Sequence, residues 1–163
     1  MALQIMRIKP NPAGKDRSRY GQSSAAQLAA EWVDFQNTSS VAVDLAPVEL
    51  WHQAYHHGQN PTWEKVTTFS GTLAPGKNVR VHSGSGPESI IRDDDRRGAD
   101  YHVFTGKNYI WNNKEGDTPA LFNRVTEVTL DSASYDPNPP EGEVLVRSGN
   151  KLVPARTVSY SYR

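Results

Sequence analysis

The sequence predicts an all-β sandwich, and three observations support that prediction. Apolar segments are short along the 163 residues, and turn-forming residues separate them. Several segments alternate in the period of a strand: in Val79–His82 the two valines are expected to point inward and the arginine and histidine outward. The 12 glycines and 11 prolines supply the turns that a sandwich of short strands requires.

We expect about seven to nine strands, each ended by turn chemistry. Pro75 and Gly76, for example, form a tight turn in which proline presets φ and glycine permits a positive φ. The ten candidate segments for these strands are Leu3–Lys9, Glu31–Asn37, Val41–Leu45, Val48–Tyr55, Thr62–Phe69, Val79–His82, Tyr101–Phe104, Asn108–Trp111, Pro119–Phe122 and Val125–Asp131.

One short helical turn is expected near residues 24–30. Ser24 is followed three residues later by Gln27, which is the capping-box spacing, and Ala25–Ala30 favours a helix. Residues 83–100 are polar and glycine-rich, so we expect an exposed insertion there.

The chain is expected to divide into a sandwich domain over residues 1–135, a proline-rich linker over 136–143 and a C-terminal extension over 144–163. In the extension, Val144–Arg147 and Lys151–Val153 flank Ser148-Gly149-Asn150, which predicts a β-hairpin. We expect this hairpin to pack on the domain or on a neighbouring subunit, because its apolar side chains would otherwise be exposed together.

Composition excludes several classes of protein. The absence of cysteine excludes a disulfide scaffold, a thiolate zinc site and a cysteine nucleophile. No apolar run of about 18 residues exists, so no membrane span is predicted. The 18 basic and 18 acidic residues balance, which excludes a binder of nucleic acid that works through its whole surface charge.

The balanced charge is unevenly distributed along the chain. Residues 1–20 and 144–163 are rich in Lys and Arg, whereas the middle of the chain is acidic. Basic ends that met on one face would attract an anionic partner such as a nucleic acid. The candidate contacts are Arg17, Arg19, Arg147 and Lys151.

A histidine cluster is the first candidate for metal chemistry. His52, His56 and His57 lie close together in the sequence, and a metal-dependent hydrolase that uses them is the least favoured alternative. On a strand, His52 and His56 would lie roughly 13 Å apart, too far to share one ion. Gln53 also stands where a zincin-type helix carries its glutamate.

An acidic run is the second candidate. Asp93–Asp95 begins like a calcium loop, but Phe104 occupies the twelfth position, where a bidentate glutamate is required. We therefore expect a solvated loop whose charges pair locally. His82 and His102 are candidate bases, but no nucleophile is tied to either, so no enzyme and no cofactor are predicted.

The most patterned segment is Asn108–Leu121. Ile110 and Trp111 enter a turn rich in Asn, Gly and Asp, whose side chains commonly bond back to the backbone. We interpret the segment as strand, turn and strand, with Trp111 as an anchor in the core. A ligand loop with an exposed Trp111 is the alternative.

This segment resembles the signature of the lamin-tail domain, in the version carried by bacterial proteins. Other pieces resemble the family in the same order: Ala30–Ser39, Val43–Leu45, Thr72–Gly76, Val79–Gly84 and Asp131–Tyr135. A Gly-Trp pair usual in the family is absent, since Ala46–Trp51 stands in its place.

The resemblance implies an immunoglobulin-like β-sandwich without catalytic or metal residues. Eukaryotic relatives are interaction platforms, and bacterial copies are often appended to exported hydrolases. The resemblance therefore implies a non-catalytic interaction or tethering module that binds a protein, a surface or another macromolecule, with nucleic acid as the alternative partner. An extracellular and a cytoplasmic location both fit. The motif residues, for which a structural role is implied, are Asn37, Pro75, Gly76, Trp111, Asn112, Asn113 and Asp117.

Overall fold

The computed structural model describes residues 2–14, 16, 21, 23–56 and 59–155, and it confirms the predicted all-β sandwich. Its strands are β1 Leu3–Lys9, β2 Trp32–Asn37, β3 Val43–Asp44, β4 Val48–Ala54, β5 Thr62–Thr68, β6 Thr72–Leu73, β7 Asn78–His82, β8 Tyr101–Phe104, β9 Ala120–Asn123, β10 Val128–Ser132, β11 Leu145–Ser148 and β12 Lys151–Pro154. The helical segments are α1 Ala25–Ala29, a 3-10 turn Glu88–Ile90 and α2 Asp93–Arg96. As expected, the Ser24 hydroxyl caps α1 by accepting a hydrogen bond from the Gln27 amide at 3.0 Å.

Two sheets form the layers of the sandwich. One has six strands in the order β12-β11-β1-β2-β7-β8, the other has four in the order β10-β9-β4-β5, and β3 pairs separately with β6. The hairpin of β11 and β12 lies beside β1 in the larger sheet. The division of the chain into a domain, a linker and an extension stays a prediction.

The parallel pairing of β7 with β8 explains the path of residues 83–100. Parallel neighbours need a crossover connection rather than a tight turn. The connection carries the 3-10 turn and α2, and it buries Ile91 and Asp95. The predicted exposed insertion is therefore wrong in part, because these residues pack on the protein.

The core lies between the sheets and draws one residue in two from most strands. In β1, Leu3, Ile5 and Ile8 are buried, and the register against β2 shifts between Ile5 and Arg7. This bulge restores an inward Ile8 and directs Arg7 to the outer face. The buried core comprises Leu3, Ile5, Ile8, Val33, Phe35, Leu45, Val48, Leu50, Val66, Leu73, Val79, Val81, Trp111, Leu121, Ala133, Tyr135, Leu145 and Leu152.

The outer face of the six-stranded sheet is also buried where β2 and β7 carry Asp34, Arg80 and His82. Arg80 and His82 leave only 1% and 0% of their surface exposed, although the alternation of β7 directs them away from the core. Arg80 donates to Asp34 Oδ2 at 2.8 Å and to the Arg97 carbonyl at 2.8 Å, and its guanidinium lies 3.7 Å from the centre of the Trp32 ring. The guanidinium is thus buried, paired with Asp34 and packed on the Trp32 ring.

Asp95 is the buried member of the acidic run. Its Oδ1 accepts hydrogen bonds from Trp32 Nε1 at 3.0 Å and from Lys9 Nζ at 2.7 Å. Asp94 lies in solvent and pairs with Arg97, as the sequence predicted for the whole run. The expectation of a solvated loop is wrong for Asp95, because the hydrogen bonds of this side chain link the crossover to β1 and β2.

We predict that Asp95→Ala lowers the free energy of unfolding by about 2–4 kcal/mol, because it leaves a buried indole N–H and an ammonium without their acceptor. Urea unfolding at neutral pH measures the change. Asp94→Ala is the matched control in the same helical turn and is expected to change stability by less than about 0.5 kcal/mol. Equal losses in the two variants would contradict the role given to Asp95.

Candidate functional site

A buried carboxylate organises the turn that the sequence singled out. Asp117 accepts hydrogen bonds from His52 Nδ1 at 2.9 Å and from the Gln53 amide at 2.9 Å, both on β4. It also accepts from the Asn112 amide at 3.2 Å, from Asn112 Nδ2 at 2.9 Å and from the Thr118 amide at 2.7 Å. This Asp117 cluster ties β4 to the turn that leads into β9.

Trp111 and Asn113, two other motif residues, contact segments that are distant in the sequence. Trp111 is buried and packs edge-on against the His52 ring, with centroids 5.7 Å apart. The Asn113 carbonyl accepts from the Asn138 amide at 2.6 Å, whereas its Oδ1 is buried without a partner in the described part of the chain. These contacts hold Trp111 in the core and not in a ligand loop.

Asn37 and the Pro75-Gly76 turn meet at the end of β2. Asn37 Nδ2 donates to the Val41 and Leu73 carbonyls, each at 2.8 Å, and its carbonyl accepts from the Gly76 amide at 2.8 Å. Gly76 has a φ of 79°, a conformation that favours glycine. The side chain and the turn together close this end of the sandwich.

The histidine cluster is only partly brought together. His52 Nδ1 is occupied by Asp117, and its Nε2 lies 3.9 Å from Glu64 Oε1. His56 Nε2 lies 3.4 Å from the other oxygen of Glu64, and His57 lies outside the described residues. Among the residues that the structure describes, no group of three His, Asp or Glu side chains is placed to hold a metal ion.

His82 and His102 form a chain of imidazoles. Because a carbonyl only accepts, His82 Nδ1 donates to Ala29 at 2.6 Å, and its Nε2 accepts from His102 Nδ1 at 2.7 Å. Burial lowers the pKa of His82 from 6.5 to about 4. The neighbouring Ser83 hydroxyl donates to Glu31 instead of to either ring, so the pair lacks an adjacent nucleophile from that residue.

Glu31 anchors the segment before the Asp117 cluster. Its buried carboxyl accepts from the Ile110 amide at 2.9 Å and from the Trp111 amide at 3.3 Å, besides the Ser83 hydroxyl. Burial raises the pKa of Glu31 from 4.5 to about 8. The predicted strand Asn108–Trp111 is therefore wrong, because two of its amides bond to a side chain and not to a neighbouring strand.

The described members of the basic ends are paired with their own chain. Arg147 donates to Asp131 Oδ2 at 2.7 Å and to the Ile5 carbonyl at 2.8 Å. Lys151 forms an ion pair with Asp136. Arg17 and Arg19 lie outside the described residues.

The four-stranded sheet presents an aromatic face to solvent, formed by Trp51 of β4, Trp63 of β5 and Phe122 of β9. Trp51 and Phe122 pack edge to face with centroids 6.2 Å apart, and Trp63 is 49% exposed. Trp51 Nε1 donates to Glu49 Oε1 at 3.1 Å, which fixes the indole. A cavity of about 430 Å³ is lined by Trp51, Trp63, Ala120, Phe122, Thr129 and Ser132.

The Asp117 cluster helps to set the geometry of the aromatic face. It holds His52 inward on β4, so Trp51 points outward, and β4 pairs with β9 in the register Trp51 to Ala120 and Glu49 to Phe122. Sequence reasoning missed this face because it concentrated on the histidines. The signal was present, since the two-residue period places Trp51 opposite His52.

Comparison with known proteins identifies one family. The family model of the Lamin Tail Domain matches residues 2–137. No match to a curated protein was found. None of the helices in the described ranges is long and apolar enough to cross a bilayer.

We predict that Asp117→Asn lowers the free energy of unfolding by about 2–4 kcal/mol. The new side chain places an NH₂ group opposite N–H donors whose hydrogen bonds the carboxylate had accepted. Urea unfolding followed by tryptophan fluorescence measures the loss. Glu115→Gln, an exposed change in the same turn, is the control and is expected to have little effect. A stability of Asp117→Asn equal to that of the control would contradict the bonds assigned to Asp117.

Glu31 makes the stability of the protein depend on pH. The unfolded chain loses this proton near pH 4.5 and the folded chain keeps it until about pH 8, so stability falls as the pH rises through that window. Between pH 6.5 and 8, we expect the Glu31 contribution to fall by about 2 kcal/mol, and Glu31→Gln to remove that fall. Urea unfolding of both proteins at the two pH values tests this, and parallel pH profiles would refute it.

Proposed function

The chain belongs to the lamin tail domain family, and on that premise we propose that it is a non-catalytic interaction and tethering module whose macromolecular partner binds the aromatic face. The observation that carries the proposal is the position of Trp51, Trp63 and Phe122, which share one cavity on the outer side of the four-stranded sheet. Large aromatic side chains grouped in this way are typical of binding surfaces.

The aromatic face is preorganised for binding. Trp51 is held by its hydrogen bond to Glu49 and by the edge of Phe122, so little side-chain freedom remains to be lost. Trp63 stands on β5, at the edge of the sheet, with half of its surface still available to a partner. A rigid indole beside an exposed one offers a large contact area at a low entropic cost.

Two ionisable groups with strongly shifted pKa values lie elsewhere. Glu31 and His82 belong to the six-stranded sheet and its connections, where their bonds hold the backbone together. Their perturbation follows from burial in the fold. This separation of titratable groups from the exposed surface supports a binding role over a catalytic one.

The test is sedimentation of the purified full chain with the cell-envelope fraction of its source organism. We expect the wild-type chain to sediment with the envelopes, and Trp63→Ala and Trp51→Ala each to reduce the bound fraction at least about tenfold, since each removes a central aromatic contact. Tyr101→Ala is the matched control, because Tyr101 is an aromatic residue of the other sheet with 52% exposure.

Circular dichroism and urea unfolding establish that the variants keep the fold. The proposal fails if the wild-type chain stays in the supernatant. It also fails if the folded Trp63→Ala variant sediments as strongly as Tyr101→Ala, because binding would then be independent of the aromatic face.

A further inference from the structure

The cavity of the aromatic face has an uncharged lining. Besides its three aromatic residues, it is lined by Ala120, Thr129 and Ser132. No acidic or basic side chain is among the described residues that line it. The surface therefore combines apolar ring faces with neutral groups that donate and accept hydrogen bonds.

The charges that share this outer face neutralise each other. Lys65 Nζ lies 3.6 Å from Glu49 Oε2, and the other oxygen of Glu49 accepts the Trp51 indole N–H. A groove that binds a polyanion such as single-stranded nucleic acid carries uncompensated basic residues along the backbone of its ligand. Because the charges on this face are paired, the face suits a neutral ligand better than a polyanion.

The centre of the cavity floor offers no free backbone groups to an extended peptide. β4 pairs with both β5 and β9, and β9 pairs with both β4 and β10. Peptides that add to a sheet need an unpaired strand edge, and in this sheet those edges belong to β5 and β10, at the two sides of the cavity. A ligand that lies across β4 and β9 is therefore recognised through their side chains.

Resting on the proposed function, we propose that the aromatic face binds a neutral polysaccharide. The C–H face of a pyranose ring packs on an indole, and its hydroxyl groups bond to neutral donors and acceptors. Trp51 and Trp63 would stack on sugar rings, while Thr129 and Ser132 bond to ring hydroxyls. The cavity of about 430 Å³ falls within the usual range of about 300–1,000 Å³ for ligand sites.

The dimensions favour a chain over a single sugar. The lining residues come from all four strands of the sheet, from Thr129 and Ser132 on β10 to Trp63 on β5. Three spacings between strands of about 4.8 Å make the surface roughly 14 Å across. A linear polymer can therefore contact both indoles and the two hydroxyls at once.

Native affinity electrophoresis tests the inference with purified probes. Gels contain hydroxyethylcellulose, xyloglucan, galactomannan or, as a polyanion, heparin. We expect at least one neutral polysaccharide to retard the wild-type chain. Retardation of Trp63→Ala should be at least about tenfold weaker, and retardation of Tyr101→Ala should equal that of the wild type. Retardation should be unchanged from about 50 to 500 mM NaCl, because no counterions are released.

Treated envelopes separate this inference from the proposed function. Binding that survives protease digestion, is lost after periodate oxidation of vicinal diols and requires Trp63 would support a polysaccharide partner. Binding that requires Trp63 but is lost after protease digestion would leave the proposed function standing and overturn the polysaccharide, since the partner would be a protein. Retardation by heparin alone that disappears at high salt would also overturn it, as would periodate-resistant envelope binding together with no retardation in any neutral gel.

Discussion

The carboxylate of Asp117 is the contact on which the arrangement of the four-stranded sheet depends. One buried group accepts hydrogen bonds from two consecutive residues of β4, from Asn112 and from Thr118 at the entrance to β9. A carboxylate that satisfies several donors in the interior is costly to replace, because each donor would lose its partner. The register that it helps to hold places Trp51 above Ala120 and beside Phe122.

The outer faces of the two sheets differ in side-chain chemistry and in burial. The six-stranded sheet carries Asp34 and Arg80, and the crossover of residues 83–100 buries their ion pair. The four-stranded sheet carries aromatic side chains, and none of the described segments covers Trp63 to a comparable extent. Charged groups without water require partners, whereas exposed indoles offer area for association. This contrast gives one face a structural role and supports the binding role proposed for the other.

The parts of the fold that the sequence predicted well depend on local chemistry. The Ser24 cap acts on an amide three residues away, and the Pro75-Gly76 turn closes on Lys77 through its Ala74 carbonyl at 3.1 Å. The predictions that failed depend on partners far along the chain. The amides of Ile110 and Trp111 donate to Glu31, about 80 residues earlier, and alternation could not reveal a side chain that replaces a neighbouring strand.

By itself, the sequence determined an all-β sandwich with a capped helical turn and the order of motifs that marks the family, because strand period and turn chemistry are local properties. It also determined that Trp51 and His52 point to opposite faces. Only the tertiary structure decided what covers each face: Trp32 and Asp95 are bonded across 63 residues, while Trp51 and Trp63 remain open to solvent. The physical reason is that periodicity gives the direction of a side chain, whereas its burial depends on which distant segment packs above it.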